Sequence, residues 1–452
     1  MKIIVVGLGK VGERLVERLS REENHSITVV DIKHNVLQET VNSYDVMGVS
    51  GSGANIETLK EAGIEDTDIL IAVTDSDEIN LLTCLIARKL SKCNTIARVR
   101  NPEYKNEVQL FKEDLGLAMI INPEYTAANE IARSLRFPSA IQIDTFAKGR
   151  VEMLKFKVEE GSVLDNLKLV DIKQKVESNI LVCGVERGEE AFIPYGDFVL
   201  KAGDLISIIA TIKDASGFIK KVGIKTNRVK DSIIIGGGKT SVYLANNLIK
   251  SGIDVKIIEQ NKEKCEELCT ILPKATIING DGTENKLLIE EGIEKAESFV
   301  ALTNIDEENI LLSLYAKTKM KGKVITKINR IAYDEVIGNL GLDTIIYPKD
   351  ITAEYIVRFV RAKNNSIGSN IETMHYVLGG KAEALEFRIR ENSPISNKTI
   401  ETLSLKKGII IASINRNGNI ITPNGKDMIL TGDTVIVVTT HKGFKDISDI
   451  LN

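Results

Sequence analysis

The chain repeats itself, and this duplication limits the possible folds more than any other feature. The segment IVVGLGK at positions 4–10 recurs as IIIGGGK at positions 233–239, an offset of 229 residues. The same offset relates further glycines, polar residues and strand ends: Gly51 to Gly280, Gly63 to Gly292, Thr74 to Thr303, Asn80 to Asn309 and Asp204 to Asp433. Length alone suggests roughly three domains. The repeat replaces that figure with two tandem copies that account for nearly all 452 residues.

The first part of each copy alternates short apolar runs with helical patterns. In copy one the predicted strands lie at 3–6, 27–30, 46–49, 69–73, 95–99 and 119–121. Apolar strands separated by helices indicate a parallel sheet that is covered on both faces. We therefore predict an α/β fold with two Rossmann-like domains, at residues 1–135 and 229–362.

The second part of each copy is richer in short alternating strands and turns. Asn417-Gly418 separates two such strands, at 409–414 and 420–422, which is a hairpin signal. Copy one has its counterpart around Arg187-Gly188. These parts predict two small α+β lobes, at residues 139–222 and 370–452, and the polar stretches 223–231 and 363–370 are predicted to be linkers.

Copy one contains a glycine pattern typical of phosphate binding. Gly7-x-Gly9-x-x-Gly12 follows a predicted strand and opens a predicted helix, and Asp31 ends the second strand 19 residues later. In this context the glycines allow a tight turn and close approach of a pyrophosphate, and the helix N-terminus supplies N–H donors. A carboxylate at Asp31 accepts hydrogen bonds from ribose hydroxyls and repels a 2′-phosphate, which favours NAD over NADP. The predicted loop residues are Gly7, Leu8, Gly9, Lys10, Val11 and Gly12.

Copy two departs from this pattern. Its loop residues are Gly236, Gly237, Gly238, Lys239 and Thr240. Ser241 replaces the third glycine, and Glu259 stands where copy one has Asp31. Gly238-Lys239-Thr240 resembles part of a P-loop, but that motif needs a glycine at position 233, which is Ile. A second nucleotide site and a degenerate or unoccupied one both remain open.

Further candidate residues follow the predicted strands, where ligands bind in parallel sheets. Gly51 and Ser52 follow the third strand, Thr74 ends the fourth, and Arg98 ends the fifth; their counterparts are Gly280, Asp281, Thr303 and Lys327. Arg98 is placed to reach a phosphate, with a surface ion pair as the alternative.

Composition excludes several classes of protein. Lys and Arg number 59 and Asp and Glu 63, so the net charge of −4 gives no reason to expect nucleic acid or an anionic membrane as a partner. No apolar run approaches the roughly 18 residues of a membrane span, and five scattered cysteines make no disulfide framework. These features favour a cytoplasmic protein.

No catalytic or metal-binding set stands out either. The four histidines are not repeated, and no His or Cys completes a zinc set with Cys265 and Cys269. The acidic clusters at 75–78 and 306–308 suit a cation or, at least as well, helix capping. We therefore predict no catalytic residues and no metal ligands.

The order and duplication of lobes, with Gly7-x-Gly9-x-x-Gly12, Asp31, the strand end at Thr74 and the segment ARVRNP at 97–102, resemble the TrkA family. These are cytoplasmic regulatory subunits of Trk potassium uptake systems, built from RCK (KTN) nucleotide-binding N-lobes and small RCK C-lobes. The resemblance covers essentially the whole chain.

This resemblance implies a peripheral protein, usually a tetrameric ring, at the inner face of the cell membrane beneath an integral potassium channel or transporter. It implies NAD(H) as the ligand, with ATP or ADP as alternatives. Carried over by position, Gly7 to Gly12 hold phosphates, Asp31 the ribose, Thr74 lies near the adenosine and Arg98 contacts phosphate. The competing hypotheses are an NAD-dependent oxidoreductase and a nucleotide-sensing subunit of a different potassium channel or efflux system.

Overall fold

The structure, a computed structural model, describes residues 1–21, 25–101, 114–137, 140–222, 229–329, 337, 340–365, 371–444 and 446–452. It divides into two compact units. Unit 1 contains Met1–Arg136 and Asn227–Val357, and unit 2 contains Phe137–Thr226 and Arg358–Asn452. Each unit therefore combines equivalent parts of the two copies.

The first lobe of unit 1 is a parallel sheet with helices. Its strands are β1 (Lys2–Val6), β2 (Ser26–Asp31), β3 (Met47–Ser50), β4 (Ile69–Ala72), β5 (Asn94–Arg98) and β6 (Met119–Ile121). Its helices are α1 (Lys10–Ser20), α2 (His34–Ser43), α3 (Ile56–Glu61), α4 (Asp77–Leu90) and α5 (Pro123–Arg136), with a 3₁₀ turn at Ile64–Asp66. The strand order is β3-β2-β1-β4-β5-β6, so the chain reverses direction across the sheet between β1 and β4. That crossing point is where ligands bind in such sheets.

The second lobe of unit 1 has the same topology, with its strands ordered β14-β13-β12-β15-β16-β17. The strands are β12 (Asp231–Ile235), β13 (Asp254–Glu259), β14 (Thr276–Asn279), β15 (Ser298–Ala301), β16 (Lys323–Lys327) and β17 (Thr344–Ile346). The helices, numbered after two that belong to unit 2, are α8 (Lys239–Lys250), α9 (Lys262–Ile271), α10 (Asn285–Glu290), α11 (Asp306–Lys319) and α12 (Pro348–Asn365), with a 3₁₀ turn at Ile293–Lys295. The residues of α12 from Arg358 onward belong to unit 2.

The two lobes of unit 1 pack against each other reciprocally. Apolar residues of α5, among them Ala128 and Ile131, share one core with Leu244 and Leu248 of α8. In the reciprocal contact, α12 presents carboxylates to arginines of α1; the pairs are Arg14–Asp350 and Arg18–Glu354. Each helix that follows a glycine loop therefore contacts the last helix of the other lobe.

The first lobe of unit 2 is an antiparallel sheet of order β10-β9-β11-β8-β7. Its elements are β7 (Gln142–Phe146), a 3₁₀ turn (Ala147–Gly149), β8 (Val151–Lys157), α6 (Leu169–Val176), β9 (Leu181–Arg187), β10 (Glu190–Phe192), β11 (Leu205–Thr211) and α7 (Ile212–Val222).

The second lobe of unit 2 has the matching order β18-β19-β24-β21-β22, with a small β20-β23 ribbon. The strands are β18 (Ile371–Val377), β19 (Ala382–Arg388), β20 (Lys398–Thr399), β21 (Ile409–Arg416), β22 (Asn419–Ile421), β23 (Met428–Ile429) and β24 (Thr434–Thr439). The 3₁₀ turns are Leu378–Gly380, Ile400–Thr402 and Ile447–Ile450.

The two small lobes share a core between their sheets. One buried cluster draws on both lobes, with Phe146, Met153 and Cys183 from the first and Leu378 and Val438 from the second. The opposite face of each sheet packs on a core of its own. The two lobes of unit 2 thus form one body through a common apolar layer.

The predicted strands are confirmed, with ends that differ by one or two residues. The hairpin at Asn417-Gly418 is confirmed as well, because both residues have positive φ and Arg416 pairs with Asn419. The linker predicted at 363–370 is wrong at its start, since α12 continues to Asn365. Polar residues at the end of a helix resemble a linker in sequence. Residues 366–370, and 223–228 of the other predicted linker, lie outside the described residues.

Candidate nucleotide-binding site

The glycine loop of copy one has the conformation that a phosphate-binding turn requires. Gly7 has φ +94°, and a Cβ there would lie 2.7 Å from the backbone nitrogen of Thr74. A Cβ on Gly12 would lie 1.9 Å from the Gly7 carbonyl oxygen. Gly9, the N-cap of α1, is different, because the nearest atom to its Cβ position is Asp75 Oδ1 at 4.0 Å. Gly7 and Gly12 are therefore needed for close packing, whereas Gly9 borders open space at the N-terminus of α1, as an incoming phosphate would need.

Asp31 anchors this loop through its carboxylate. Its Oδ2 accepts a hydrogen bond from the Leu8 N–H at 2.6 Å, and its Oδ1 accepts one from the Lys33 N–H at 2.7 Å. A carboxylate has about four acceptor positions, so two bonds leave capacity for ribose hydroxyls. The same side chain thus fixes the loop and retains acceptor positions that a ligand hydroxyl can use.

Thr74 and Arg98 lie together at the ends of neighbouring strands. The Arg98 Nη2 donates to the Thr74 carbonyl at 2.5 Å and lies 3.5 Å from Asp75 Oδ1. Burial lowers the pKa of the Arg98 guanidinium. The ion pair considered from the sequence exists, and it joins Arg98, which is only 7% exposed, to Asp75, whose side chain is 95% exposed. The guanidinium packs beneath the strand end.

The turn after the third strand closes the same edge of the sheet. The Gly51 N–H donates to the Asp31 carbonyl at 3.0 Å, which continues the strand pairing. The Ser52 hydroxyl accepts from the Ala54 N–H at 3.2 Å. In copy two the Gly280 N–H donates to the Glu259 carbonyl at 3.0 Å, and Asp281 accepts from the Thr283 N–H at 2.8 Å. These residues shape the turn in both copies.

The loop of copy two has nearly the same backbone despite the missing glycine. Gly236 has φ +94°, and Gly238 has φ −68° with no atom within 4 Å of its Cβ position. Ser241 is fully buried, and its hydroxyl donates to the Gly236 carbonyl at 2.5 Å. The carbonyl that excludes a Cβ in copy one is therefore hydrogen-bonded by the serine in copy two. Lys239 is exposed and Thr240 is buried at the start of α8.

The acid of copy two is more fully engaged than Asp31. Glu259 accepts from the Gly237 N–H at 2.8 Å, the Asn261 N–H at 3.0 Å and the Lys264 ammonium at 3.2 Å. Burial would raise the pKa of Glu259, but these donors and the lysine charge hold it below its ordinary value. A ribose at this site would have to share the carboxylate with Lys264.

Lys327 does not offer its charge to the loop in this structure. Its ammonium donates to the Leu302 carbonyl at 3.2 Å, and the residue is 8% exposed. Burial lowers the pKa of the Lys327 ammonium. Its neighbour Thr303 donates its N–H to Asn309 Oδ1 at 2.9 Å. Lys327 thus takes the same structural position as Arg98.

Two buried asparagines hold these strand ends, and the sequence prediction gave them no role. Asn80 accepts from the Thr74 N–H at 2.8 Å and donates to the carbonyls of Arg98 at 2.9 Å and Thr74 at 3.2 Å. Asn309 makes the equivalent three bonds in copy two. The signal was available, because an asparagine repeats at the same place on an apolar helix face.

The residues that form the contact between the nucleotide lobes were not predicted from the sequence either. Tyr243 of α8 lies edge-on to Tyr125 of α5, with ring centroids 5.4 Å apart. The Asn122 amide donates to the Tyr243 hydroxyl at 3.3 Å. A repeat shows that two lobes exist, but pairing between them depends on shapes that sequence periodicity does not contain.

The acidic clusters serve local structure. Ser76 caps α4 by accepting from the Ile79 N–H, and Asp77 accepts from the N–H groups of Arg100 and Asn101. Within the part of the chain that the structure describes, no group of three or more His, Cys, Asp or Glu residues could hold a metal ion. None of the helices in this described part combines the length and the hydrophobicity of a membrane-spanning segment.

Family models match both parts of both copies. The TrkA-N domain matches residues 3–123 and 232–348, and the TrkA-C domain matches residues 153–223 and 384–452. The chain belongs to the TrkA family. The matches cover the two glycine loops and both small lobes, so the family assignment does not depend on one motif.

Curated relatives align over the whole length. The Trk system potassium uptake protein TrkA homolog of Archaeoglobus fulgidus is 33% identical, with all of both chains covered. The Trk system potassium uptake protein TrkA of Halomonas elongata is also 33% identical over 98% of this chain and 96% of its own.

Among solved structures, the GsuK channel superposes with a TM-score of 0.64 at 18% identity, covering 98% of this chain and 77% of that chain. A GsuK channel bound to NAD gives a TM-score of 0.62 with the same coverage and identity. These structures show a shared fold.

Proposed function

We propose that this TrkA-family chain is the regulatory subunit of a Trk-type potassium uptake system and that it controls potassium flux by binding nucleotide. Its relatives are named as potassium uptake proteins of Trk systems, and they align with it from end to end. The main observation in favour of nucleotide binding is the glycine loop of copy one, where Gly9 borders open space beside the Asp31 carboxylate. A protein of the same fold has been solved with NAD bound, which supports NAD(H) as the ligand.

In the proposed binding mode, the N–H groups at the start of α1 bind the phosphates. Asp31 accepts hydrogen bonds from the ribose through the acceptor capacity that Leu8 and Lys33 leave free. ATP or ADP would satisfy the same groups, because both contain an adenosine ribose and phosphates. Copy two offers an equally open Gly238, but its acid is engaged by Lys264. We expect weaker binding there.

Regulation follows if the nucleotide prefers one arrangement of the two nucleotide lobes. A ligand shifts a conformational equilibrium only through different affinities for the two states. The α1 helix, whose N-terminus would bind phosphate, forms ion pairs with α12 of the other lobe through Arg14 and Asp350. A displacement of α1 on binding would therefore change the ion pairs that join the two nucleotide lobes. Assembly into a ring on the cytoplasmic side of an integral membrane partner completes the proposal.

Thermal shift tests the binding step. The protein is heated with NADH, NAD, ATP, ADP or NADPH, as wild type and as Gly9→Asp, Gly238→Asp and the double variant. Both glycines have negative φ and space for a Cβ, so the substitutions should fold normally and place a carboxylate against the phosphates. A ligand at 100 times its dissociation constant stabilises by about 2.7 kcal/mol, which is a measurable shift.

We expect at least one nucleotide to raise the midpoint of wild type, and Gly9→Asp to remove most of that rise. Gly9→Ala is the matched control, because it adds a Cβ without a charge. If no nucleotide shifts wild type, the sensor proposal is wrong. A hydride-transfer assay distinguishes the oxidoreductase hypothesis, and reproducible turnover that Asp31→Ala abolishes would replace the regulatory proposal with it. Co-purification with membrane proteins from native cells identifies the transport system.

A further inference from the structure

The contact between the two small lobes of unit 2 is pseudo-symmetric. Residues 142–157 of the first lobe correspond to 373–388 of the second, an offset of 231, and the turn residues Ala147 and Leu378 have φ values of 49° and 52°. Contacts across the interface are reciprocal. Lys381 donates to the Glu189 carbonyl, while Arg150, the counterpart of Lys381, lies beside Gly418, the counterpart of Glu189. In such an interface each lobe uses the same surface.

A surface of this kind could equally join two copies of the same lobe from different chains. We propose that residues which differ between the lobes at equivalent positions prevent this, so that the first small lobe pairs only with a second one. The determinants are a polar pair, Asp144 with His375, and a shape pair, Gly184 with Leu378. This inference concerns unit 2 and does not depend on nucleotide binding.

The polar pair lies where the two lobes meet at equivalent positions. Asp144 Oδ1 is 3.2 Å from His375 Nδ1, and the two side chains are 8% and 3% exposed. Phe146 packs on the imidazole with ring centroids 4.6 Å apart, and the Arg358 guanidinium approaches Nδ1 at 3.1 Å. A pair of first lobes would bring two buried carboxylates together. A pair of second lobes would bring two imidazoles together beside two guanidinium groups. Two buried carboxylates repel each other strongly, and two imidazoles offer the guanidinium groups no carboxylate, so only the mixed pair is satisfied.

The shape pair, Gly184 with Leu378, favours the same mixed pairing within the apolar layer. A Cβ on Gly184 would lie 2.5 Å from Leu378 Cδ2, so the leucine occupies the space that the glycine leaves. The equivalents of these residues are Ser413 and Ala147, as the strand registers show. A pair of second lobes would press Leu378 against the Ser413 side chain. A pair of first lobes would leave a void between Ala147 and Gly184. Overpacking and cavities both destabilise, and the mixed pair avoids both.

A backbone hydrogen bond adds to the same selection. The Ala147 N–H donates to Glu386 Oε1 at 3.2 Å. The first lobe has Lys155 at the position of Glu386, and an ammonium group has no acceptor for that N–H. In a pair of first lobes this buried N–H would therefore lose its partner.

Cross-linking of the full chain tests the pairing. Exposed Cys269 is replaced by serine, since the other four cysteines are buried. Glu189→Cys with Lys381→Cys then reports mixed pairing, and a short bismaleimide links the two thiols. Arg150→Cys with Glu189→Cys reports pairing of first lobes between chains as a cross-linked dimer. Peptide mass spectrometry identifies each product. We expect the 189–381 link to dominate and the between-chain 150–189 link to be at background.

Two variants and their compensating partners test the determinants. His375→Asp should lower the 189–381 yield about tenfold, because two carboxylates then face each other. The exchange of both residues, Asp144→His with His375→Asp, should restore it. Gly184→Leu should lower the yield similarly, and the added Leu378→Ala should restore it, because the bulk only changes sides.

Native yield in His375→Asp or Gly184→Leu would overturn the role of that determinant. Failure of the compensating variant to recover, with the chain folded by circular dichroism, would do the same. If His375→Asp does not accumulate as folded protein, the exchange variant decides alone. Near-native cross-linking of the exchange variant supports the proposal, and an unfolded or unlinked protein overturns it.

Discussion

Gly12→Ala is the substitution for which the structure makes the sharpest prediction. Helix propensity alone favours it, because alanine is better than glycine inside a helix by about 1 kcal/mol. The packing opposes it, because the new Cβ would lie 1.9 Å from the Gly7 carbonyl oxygen. An ordinary carbon–oxygen contact is roughly 3.3 Å. The loop and α1 would have to separate by more than 1 Å, and the close approach at Gly7 to Thr74 resists that movement.

Overpacking of a tight site costs about 3 kcal/mol, at the upper end of its usual range. After the gain in helix propensity, we expect a net loss of about 2 kcal/mol. In a domain of roughly 150 residues or more, that loss lowers the midpoint temperature of thermal unfolding by roughly 4–8 °C. The assay is thermal unfolding without nucleotide, followed by the nucleotide-induced shift, which should also fall because the phosphate-binding turn has moved.

Copy two supplies the matched control. Ser241→Ala removes a hydroxyl that donates to the Gly236 carbonyl but adds no atom to the site. The lost hydrogen bond costs about 1 kcal/mol, and the better helix propensity offsets part of it. We expect a change of less than about 1 kcal/mol. A Gly12→Ala protein that is as stable as wild type would refute the reasoning, since the close contact would then not constrain the loop.

Two further predictions concern groups that hold the fold in each unit. Asn80→Ala should lower the free energy of unfolding by about 3 kcal/mol, because it leaves buried backbone groups at two strand ends without their hydrogen-bond partner. Asn309→Ala should lower it by a similar amount, and denaturant unfolding measures both. Arg187→Met should lower the free energy of unfolding by about 2 kcal/mol at pH 7, because the ion pair with Asp204 is lost. Burial raises the pKa of Asp204, but the hydrogen bonds from Arg187 and from the Lys201 N–H, together with the positive charges of these two residues, hold that pKa below its usual value. The pair of Arg187 and Asp204 therefore stabilises the folded protein above pH about 4, and this contribution is lost as the pH falls further. The difference in unfolding midpoint between wild type and Arg187→Met should shrink below that pH. A constant difference from pH 7 to pH 3 would contradict this.

The sequence was sufficient for the features that depend on local geometry. Gly7 was predictable because a turn between a strand and a helix needs a positive φ, which glycine adopts most readily. The strands were predictable because a sheet covered on both faces needs continuous apolar runs. The hairpin at Asn417-Gly418 was predictable for a similar reason, because its turn needs two residues that tolerate positive φ.

Side-chain direction was less accessible. Arg98 was expected to face a phosphate or solvent, yet it is buried against the Thr74 carbonyl. The sequence shows that an arginine ends a strand but not which neighbouring carbonyls lie within its reach. The same holds for Lys264, whose ammonium reaches Glu259 from the next helix. A lysine five residues after an acid has no special meaning until the turn between them is known.

Comparison of the two copies separates residues that the fold requires from residues that pairing requires. Positions where the chain must turn are kept, as Gly63 and Gly292 show with φ values of 83° and 85°. Positions where small lobes face each other are not kept, and there the chain has Asp144 against His375 and Gly184 against Leu378. If the copies only needed to fold, they could be alike at these positions too. Unlike residues at facing positions are what selection for unlike partners produces, and they make the two small lobes non-interchangeable within an assembly of several chains.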